Sequence, residues 1–149
     1  LETVSGKYDF CIIDTPPTLG ILTVNALTAA DYVIVPMTAD IYALQGLTQL
    51  NGLIQNVRRY CNKGLKIAGI LLTRYNDRQI ISKTLKGNIE QAAQDLGTEV
   101  FETYIREGVA VRETQLLKSD LFTDAPKANV TQDYYNFINE VLERTGNKA

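Results

Sequence analysis

The chain has 149 residues, of which 45% are hydrophobic and 21% charged, with no histidine, two cysteines and a net charge of −2. This length supports one domain with its own core, and the composition excludes disordered and fibrous proteins. Without histidine there is no Ser-His-Asp or Cys-His catalytic arrangement, two cysteines exclude a disulfide framework, and no apolar run approaches the ~20 residues of a membrane helix.

Four apolar segments have the length and composition of strands buried in a parallel sheet. In chain order they are Tyr8–Ile13, Tyr32–Val35, Ile67–Leu72 and the weaker Val100–Ile105. The first ends at Asp14 and a pair of prolines, and Pro36 stops the second. Their spacing is close to the repeat of βαβ units, which predicts parallel pairing.

Three helices are predicted from apolar residues that recur every three or four positions. They cover Ala43–Cys61, Ile81–Leu96 and a terminal segment around Tyr134–Leu142, and Gly97 follows the second where a C-terminal glycine cap belongs. The predicted fold class is therefore α/β, a doubly wound and mostly parallel sheet with helices on both faces. Cys11 and Cys61 lie on apolar faces and are predicted to be core residues.

The loops after the four predicted strands are expected to share one edge of the sheet, where ligands of such folds bind. They are residues 14–20, 36–43, 73–78 and 106–112. Asp14 follows a buried strand at this edge, and a carboxylate there suits coordination of Mg²⁺ directly or through water. The alternative is that Asp14 only caps the turn that follows it.

Three stretches of the sequence resemble the ParA/Soj partition ATPases, which belong with MinD to a group carrying a deviant P-loop. They are YDFCIIDTPPTLG at 8–20, NALTAAD at 25–31 and YALQGL at 42–47. The resemblance implies an ATPase that binds ATP and Mg²⁺ and forms a homodimer in the ATP state. It further implies a cytoplasmic, nucleoid-associated protein that binds non-specific DNA and segregates plasmid or chromosomal DNA with a ParB/Spo0J-like centromere-binding partner.

The same resemblance assigns roles to individual residues. Asp14 is the Walker B aspartate that holds Mg²⁺ through water, Thr15, Pro16 and Pro17 belong to the nucleotide-sensing loop, and Asp40 lies near the dimer interface. The loops that embrace adenine in such proteins contain Thr73, Arg74, Ile105 and Arg106.

Two departures from the family pattern qualify this assignment. The Gly-rich phosphate loop of the family does not occur in these residues, and position 1 is Leu. Residues 1–149 are therefore expected to be the C-terminal part of one ATPase domain, from the Walker B strand onward, and to be inactive in isolation. The second arginine of the family's loop after the fourth strand aligns with Ala110, and Arg112 is a neighbouring substitute.

Positive charge is concentrated in the middle of the chain. Residues 41–89 hold eight lysines and arginines and one aspartate, a net charge of +7, whereas the other residues sum to −9. This asymmetry is typical of a surface that contacts nucleic acid, although charge runs are often solvated helix faces. The candidates for DNA contact are Arg58, Arg59, Arg78, Lys83, Lys86 and Arg112.

Two other functions remain open on the sequence alone. One is a non-catalytic regulatory module on the same fold, and the other is a MinD-like ATPase at the membrane. The terminal helix carries Asp133, Glu140 and Glu143 against Arg144 and Lys148, so it lacks the basic face of a membrane-surface helix. We therefore expect no membrane partner.

Overall fold

A computed structural model of the protein describes residues 6–77 and 80–146. Within these ranges six helices and two strands follow one another. They are α1 (Ile21–Ala29), β1 (Tyr32–Met37), α2 (Ile41–Tyr60), β2 (Lys66–Leu72), α3 (Ile80–Asp95), α4 (Val109–Leu117), α5 (Leu121–Asp124) and α6 (Asn129–Thr145).

The two strands lie side by side and run in the same direction. The Lys66 N–H donates to the Asp31 carbonyl at 3.0 Å, and the Thr73 N–H donates to the Met37 carbonyl at 2.9 Å, so both partners advance together along the chain. Helices separate the strands in sequence, as parallel pairing requires. The predicted α/β class with a parallel sheet is confirmed.

The prediction of a strand over Tyr8–Ile13 is wrong for this structure. Residues 10–16 have no regular secondary structure, and Phe10 and Ile12 are 53% and 93% exposed. Apolar, β-prone residues form a strand only where neighbouring strands supply hydrogen-bond partners. The described strands, β1 and β2, pair with each other and not with this segment.

The other strand predictions need smaller corrections. β1 does not stop at Pro36 but continues to Met37. Proline is tolerated there because successive residues of a strand direct their backbone N–H and C=O groups to opposite sides. The Met37 carbonyl faces β2, so the Pro36 nitrogen faces the opposite side of β1, where no strand is described. The missing N–H of proline therefore removes no hydrogen bond between β1 and β2. The predicted fourth strand is reduced to two parallel bridges, Ile70 with Val100 and Thr73 with Ile105.

The described residues form two compact units. Unit 1 consists of residues 6–33 and Gly46–Lys66, and its buried apolar residues are Leu27, Leu47, Ile54, Val57 and Leu65. Within this unit the Asn62 side-chain amide donates to the Leu27 and Ala30 carbonyls, at 3.2 and 2.7 Å. This side chain ties the end of α2 to the end of α1.

Unit 2 consists of Ile34–Gln45 and the described residues from Ile67 onward. Its core joins β2, the bridged segment and α6 through Leu71, Phe101, Ile105 and Val130. The Arg144 guanidinium lies over the Phe101 ring, with its central carbon 4.1 Å from the ring centroid. The C-terminal helix is therefore part of the core of this unit.

The three predicted helices are confirmed as α2, α3 and α6, and Gly97 has the left-handed φ of +68° expected of a cap. The core assignment of the cysteines is wrong, since both are exposed. Cys61 falls just beyond the end of α2, so it leaves the buried stripe. No helix in the described part of the chain is long and apolar enough to cross a bilayer.

Candidate functional site

The edge of the sheet in unit 2 brings together two of the predicted loops. The Ile105 N–H donates to the Leu72 carbonyl at 2.8 Å, and the Tyr75 N–H donates to the Ile105 carbonyl at 3.1 Å. With the bridge between Thr73 and Ile105, these bonds join the loops that begin at the two residues. The two loops are thus neighbours in the structure, and the assignment of Thr73, Arg74, Ile105 and Arg106 to adenine stays a prediction.

Two arginines at this edge share one carboxylate. Arg74 Nη2 lies 3.8 Å and Arg112 Nη2 lies 3.6 Å from the same Oε1 of Glu107. All three side chains are more than half exposed, so water and salt screen both ion pairs. Arg74 also has a φ of +52°, in the left-handed region that few non-glycine residues adopt.

Arg106 is engaged by Asp133, a residue of α6. Its Nε and Nη2 donate to the two Asp133 carboxylate oxygens at 2.7 and 2.8 Å, and its backbone N–H donates to the same carboxylate at 3.1 Å. This hydrogen bonding raises the pKa of the Arg106 guanidinium above its already high value. The guanidinium is thus used to hold the loop onto α6.

Sequence reasoning treated Asp133 only as one of the surface charges of the terminal helix. The signal that could have found it is its position, since it lies three residues after Val130 and four before Phe137 on the apolar face of α6. Asp133 is 5% exposed. A carboxylate on a buried helix face requires a cationic or hydrogen-bonding partner.

An aromatic pair lies beside this loop. The rings of Tyr75 and Tyr104 meet edge to face with centroids 4.9 Å apart, and the Tyr104 hydroxyl donates to Asp77 Oδ2 at 3.1 Å. Burial, more than the charge of Asp77, raises the pKa of Tyr75 above its usual value. An open depression of about 290 Å³ adjoins the loop and is lined by Glu102, Thr103, Tyr104, Arg106, Asp133 and Asn136.

Asp40, predicted to lie near a dimer interface, has a local structural role. Its Oδ1 accepts a hydrogen bond from the Ala43 backbone N–H at 2.8 Å, and its Oδ2 accepts one from the Thr38 hydroxyl. These bonds, that from Thr38 above all, lower the pKa of Asp40 below its usual value. Asp40 therefore caps the N-terminus of α2.

The Asp14 loop belongs to unit 1 and is exposed. Beyond it, Thr18 N–H donates to the Pro16 carbonyl at 2.7 Å, and the Thr23 hydroxyl of α1 donates to the Thr18 carbonyl at 2.6 Å. Thr15 and Pro17 are exposed as well. The described residues contain no group of three or more His, Cys, Asp or Glu side chains that could hold a metal. A single carboxylate fits Mg²⁺ that keeps its waters and is shared with substrate phosphates.

The candidates for DNA contact have different environments. Arg58 Nε donates to the Leu65 carbonyl at 2.8 Å, and Lys86 pairs with Glu90 at 3.7 Å. Arg59 is exposed, with its guanidinium 5.2 Å from the Tyr60 ring centroid. Arg78 and the side chain of Lys83 lie outside the described residues.

Comparison with known proteins shows what the chain is similar to. The model of a family described as an AAA domain matches residues 1–67. The chain is 38% identical over 144 residues to the chromosome partitioning protein ParA of Caulobacter vibrioides, covering 94% of this chain and 51% of that protein. It is 35% identical over 141 residues to the sporulation initiation inhibitor protein Soj of Bacillus subtilis, covering 95% of this chain and 54% of that protein.

The chain is similar to ParA and Soj proteins over nearly its whole length. The resemblance noted in its motifs is thereby confirmed over nearly its whole length. The chain spans about half the length of the curated relatives it matches. The activity and partners of a whole ParA-type protein are therefore treated below as proposals.

Solved structures show that the chain has the fold of P-loop ATPases. A single-residue variant of Cyanothece McdA in complex with ATP matches with a TM-score of 0.80 and 18% identity, covering 99% of this chain and 55% of that one. Cobyrinic acid a,c-diamide synthase from Mycobacterium smegmatis matches with a TM-score of 0.75 and 28% identity, covering 97% and 51%. The synthase has also been solved with bound ADP and magnesium, in a structure that covers 60% of this chain at a TM-score of 0.57.

Proposed function

We propose that residues 1–149 form the C-terminal part of the ATPase domain of a ParA-type partition protein. In the proposed protein, ATP and Mg²⁺ bind at the sheet edge and a homodimer forms in the ATP state. The dimer binds DNA without sequence preference and, with a ParB/Spo0J-like centromere-binding partner, segregates plasmid or chromosomal DNA in the cytoplasm. The observation that supports this best is 38% identity to a chromosome partitioning protein ParA across 94% of the chain, with 35% identity to Soj across 95%.

The geometry of unit 2 supports a nucleotide site at this edge. Ligands of doubly wound folds bind outside the carboxyl ends of parallel strands, and there the Thr73 and Ile105 loops are joined backbone to backbone. We assign the Thr73–Arg74 and Ile105–Arg106 loops of unit 2 to adenine binding. Asp133 takes up the Arg106 guanidinium, so Arg106 contributes by fixing its loop.

Asp14 of unit 1 is the residue proposed to act on Mg²⁺. Bound Mg²⁺·ATP supplies the phosphoryl group that is transferred to water. The Asp14 carboxylate, which is exposed and followed by two prolines, would hold and orient a metal-bound water by hydrogen bonding. Thr15, Pro16 and Pro17 would set the direction in which the loop leaves this carboxylate, since proline restricts its own φ and the residue before it.

The experiment is steady-state ATP hydrolysis by the full-length protein carrying Asp14→Ala. Losing a preorganised electrostatic group costs about 10²-fold in kcat, and that is the expected loss. Asp9→Ala is the matched control because it removes an equally exposed carboxylate five residues earlier in the same segment. If Asp14→Ala stays within about twofold of the wild type, Asp14 is only a turn residue and its assignment to the metal fails.

A non-catalytic module on the same fold is the second candidate. These 149 residues contain no Gly-rich phosphate loop, which is compatible with either candidate. The two candidates differ in a simple assay, since the full-length protein hydrolyses ATP if it is the proposed ATPase and not if it is a module. In either case we expect the isolated 149-residue chain to show no micromolar ATP affinity by calorimetry, because it lacks the backbone N–H groups of that loop.

A further inference from the structure

An exposed basic surface surrounds the turn between α2 and β2 in unit 1. We call it the α2–β2 basic surface and define it as Tyr32, Arg59, Tyr60, Lys63 and Lys66. The three cations are exposed, and the Tyr60 side chain is 70% exposed. Gly46–Lys66, the part of unit 1 that supplies most of this surface, carries four basic residues and no acidic one. Asp31, which directly precedes Tyr32 in sequence, forms no ion pair with any described residue.

The cations of this surface have no carboxylate partner among the described residues, whereas five basic residues of unit 2 have one. Arg59, Lys63 and Lys66 form no ion pair within the described residues. Five basic residues of unit 2 each have a carboxylate partner: Arg74, Lys86, Arg106, Arg112 and Arg144. Among the described side chains of residues 41–89, the exposed cations without an ion pair are thus those of unit 1. They include Lys63 and Lys66, which the motif analysis did not select.

Side-chain hydrogen bonds hold the turn in a defined conformation. Arg58 Nε donates to the Leu65 carbonyl at 2.8 Å, and Asn62 Oδ1 accepts from the Gly64 N–H at 3.2 Å while its amide nitrogen donates to α1. Leu65 is 2% exposed. Arg58 is therefore a structural residue of the turn, and the three other cations are presented on a backbone that needs little ordering on binding.

The two aromatic rings indicate which part of a nucleic acid fits. The Arg59 guanidinium lies 5.2 Å from the Tyr60 ring centroid, and Lys66 Nζ lies 5.8 Å from that of Tyr32. Both rings are thus engaged by the protein's own cations, which restricts their use for stacking on unpaired bases. What the surface offers is fixed positive charge, which suits phosphate.

We propose that the α2–β2 basic surface binds the phosphate backbone of duplex DNA independently of base sequence. This inference deepens the proposed function and depends on its DNA-binding part. It assigns contact to Arg59, Lys63 and Lys66, and it leaves Arg58 and Lys86 out.

The experiment measures binding of the full-length protein with ATP to two unrelated duplexes across a salt series, by fluorescence anisotropy. The test variant is Lys63→Gln/Lys66→Gln. The matched control is Lys118→Gln/Lys127→Gln, which changes the net charge equally at two exposed lysines of unit 2 that form no ion pair in the described part of the chain. Circular dichroism and ATP turnover establish that both variants are folded and bind nucleotide.

We expect the test variant to bind about tenfold more weakly than the control at physiological salt, with a log K against log salt slope shallower by about 1.8, because two phosphate contacts are lost. Equal weakening of test and control would overturn the proposal, since net charge alone would then explain the effect. Loss of binding to anionic vesicles with unchanged binding to duplex would also overturn it, in favour of a lipid surface. If the wild-type protein with ATP binds neither duplex, the DNA-binding part of the proposed function fails with it, an outcome distinct from the previous two.

Discussion

Gly69 lies where the core of unit 2 has no room for a side chain. A Cβ built on it would stand 2.6 Å from Arg144 Nη1 and 2.6 Å from Phe101 Cε2. Phe101 is 2% exposed and belongs to the core, so the ring has little freedom to move away. Replacing Gly69 with alanine must therefore displace the Arg144 guanidinium, the Phe101 ring or both.

The cost follows from what Arg144 does. Its Nη1 donates to the Ala68 carbonyl at 3.1 Å, and its Nη2 donates to the Val100 carbonyl at 3.0 Å and to Glu140 Oε1 at 2.8 Å. Hydrogen bonds to a charged group contribute about 1.5–3 kcal/mol each, and overpacking a core costs about 1–3 kcal/mol. Since part of the side chain can relax, we expect Gly69→Ala to lower the free energy of unfolding by about 2–4 kcal/mol.

Urea unfolding of the full-length protein measures this loss. Gly87→Ala in α3 is the matched control because nothing lies within 4 Å of the added Cβ, and alanine there should stabilise the helix by up to about 1 kcal/mol. The double variant Gly69→Ala/Arg144→Ala should lose less than the sum of its single losses, because both changes remove the same contacts. Equal stability of Gly69→Ala and Gly87→Ala would refute the reasoning.

Three further predictions concern carboxylates. Asp40→Ala should lower the free energy of unfolding by about 1 kcal/mol while Asp40→Asn, which can still cap α2, should not; an equal loss in both variants would argue against capping. Hydrogen bonds from the Thr103 and Glu102 N–H groups and the charge of Arg144 outweigh burial and hold the pKa of Glu140 below its usual 4.5. Its stabilisation is therefore complete above pH 4.5 and lost as pH falls through the lower folded pKa, so acid should destabilise the wild type more than Glu140→Gln in urea titrations. Asp133→Ala should cost about 1–3 kcal/mol in thermal unfolding, since it removes three hydrogen bonds to Arg106.

The parts of the fold that the sequence predicts well are those governed by local periodicity. The apolar spacing in Ile41–Tyr60 and Ile80–Asp95 and the glycine at 97 are local signals, and the structure follows them. Whether Tyr8–Ile13 forms a strand depends on neighbouring strands, which composition does not reveal. α4 was missed because the segment was interpreted as a ligand loop, although Val109–Leu117 contains neither Gly nor Pro.

In the candidate site, too, some features follow from the local sequence and others depend on tertiary contacts. Strand ends mark Thr73 and Ile105 as neighbours, because parallel pairing brings them to one edge. The partners of individual charges depend on tertiary packing. Asp133 binds Arg106 across 27 positions of sequence. Arg58 donates to a backbone carbonyl while the adjacent Arg59 stays exposed, and counting charges along the sequence cannot tell these two arginines apart.

The contacts of α6 also determine how the sheet edge opens. The backbone amides of Glu102 and Thr103 donate to Glu140, and that of Arg106 donates to Asp133. Three backbone amides of residues 102–106 are thus hydrogen-bonded to carboxylates of α6. These amides can exchange with solvent only when α6 moves away or unfolds. Hydrogen exchange at the three positions should therefore report one shared opening free energy, and the terminal helix and the edge of the candidate site should behave as a single cooperative unit.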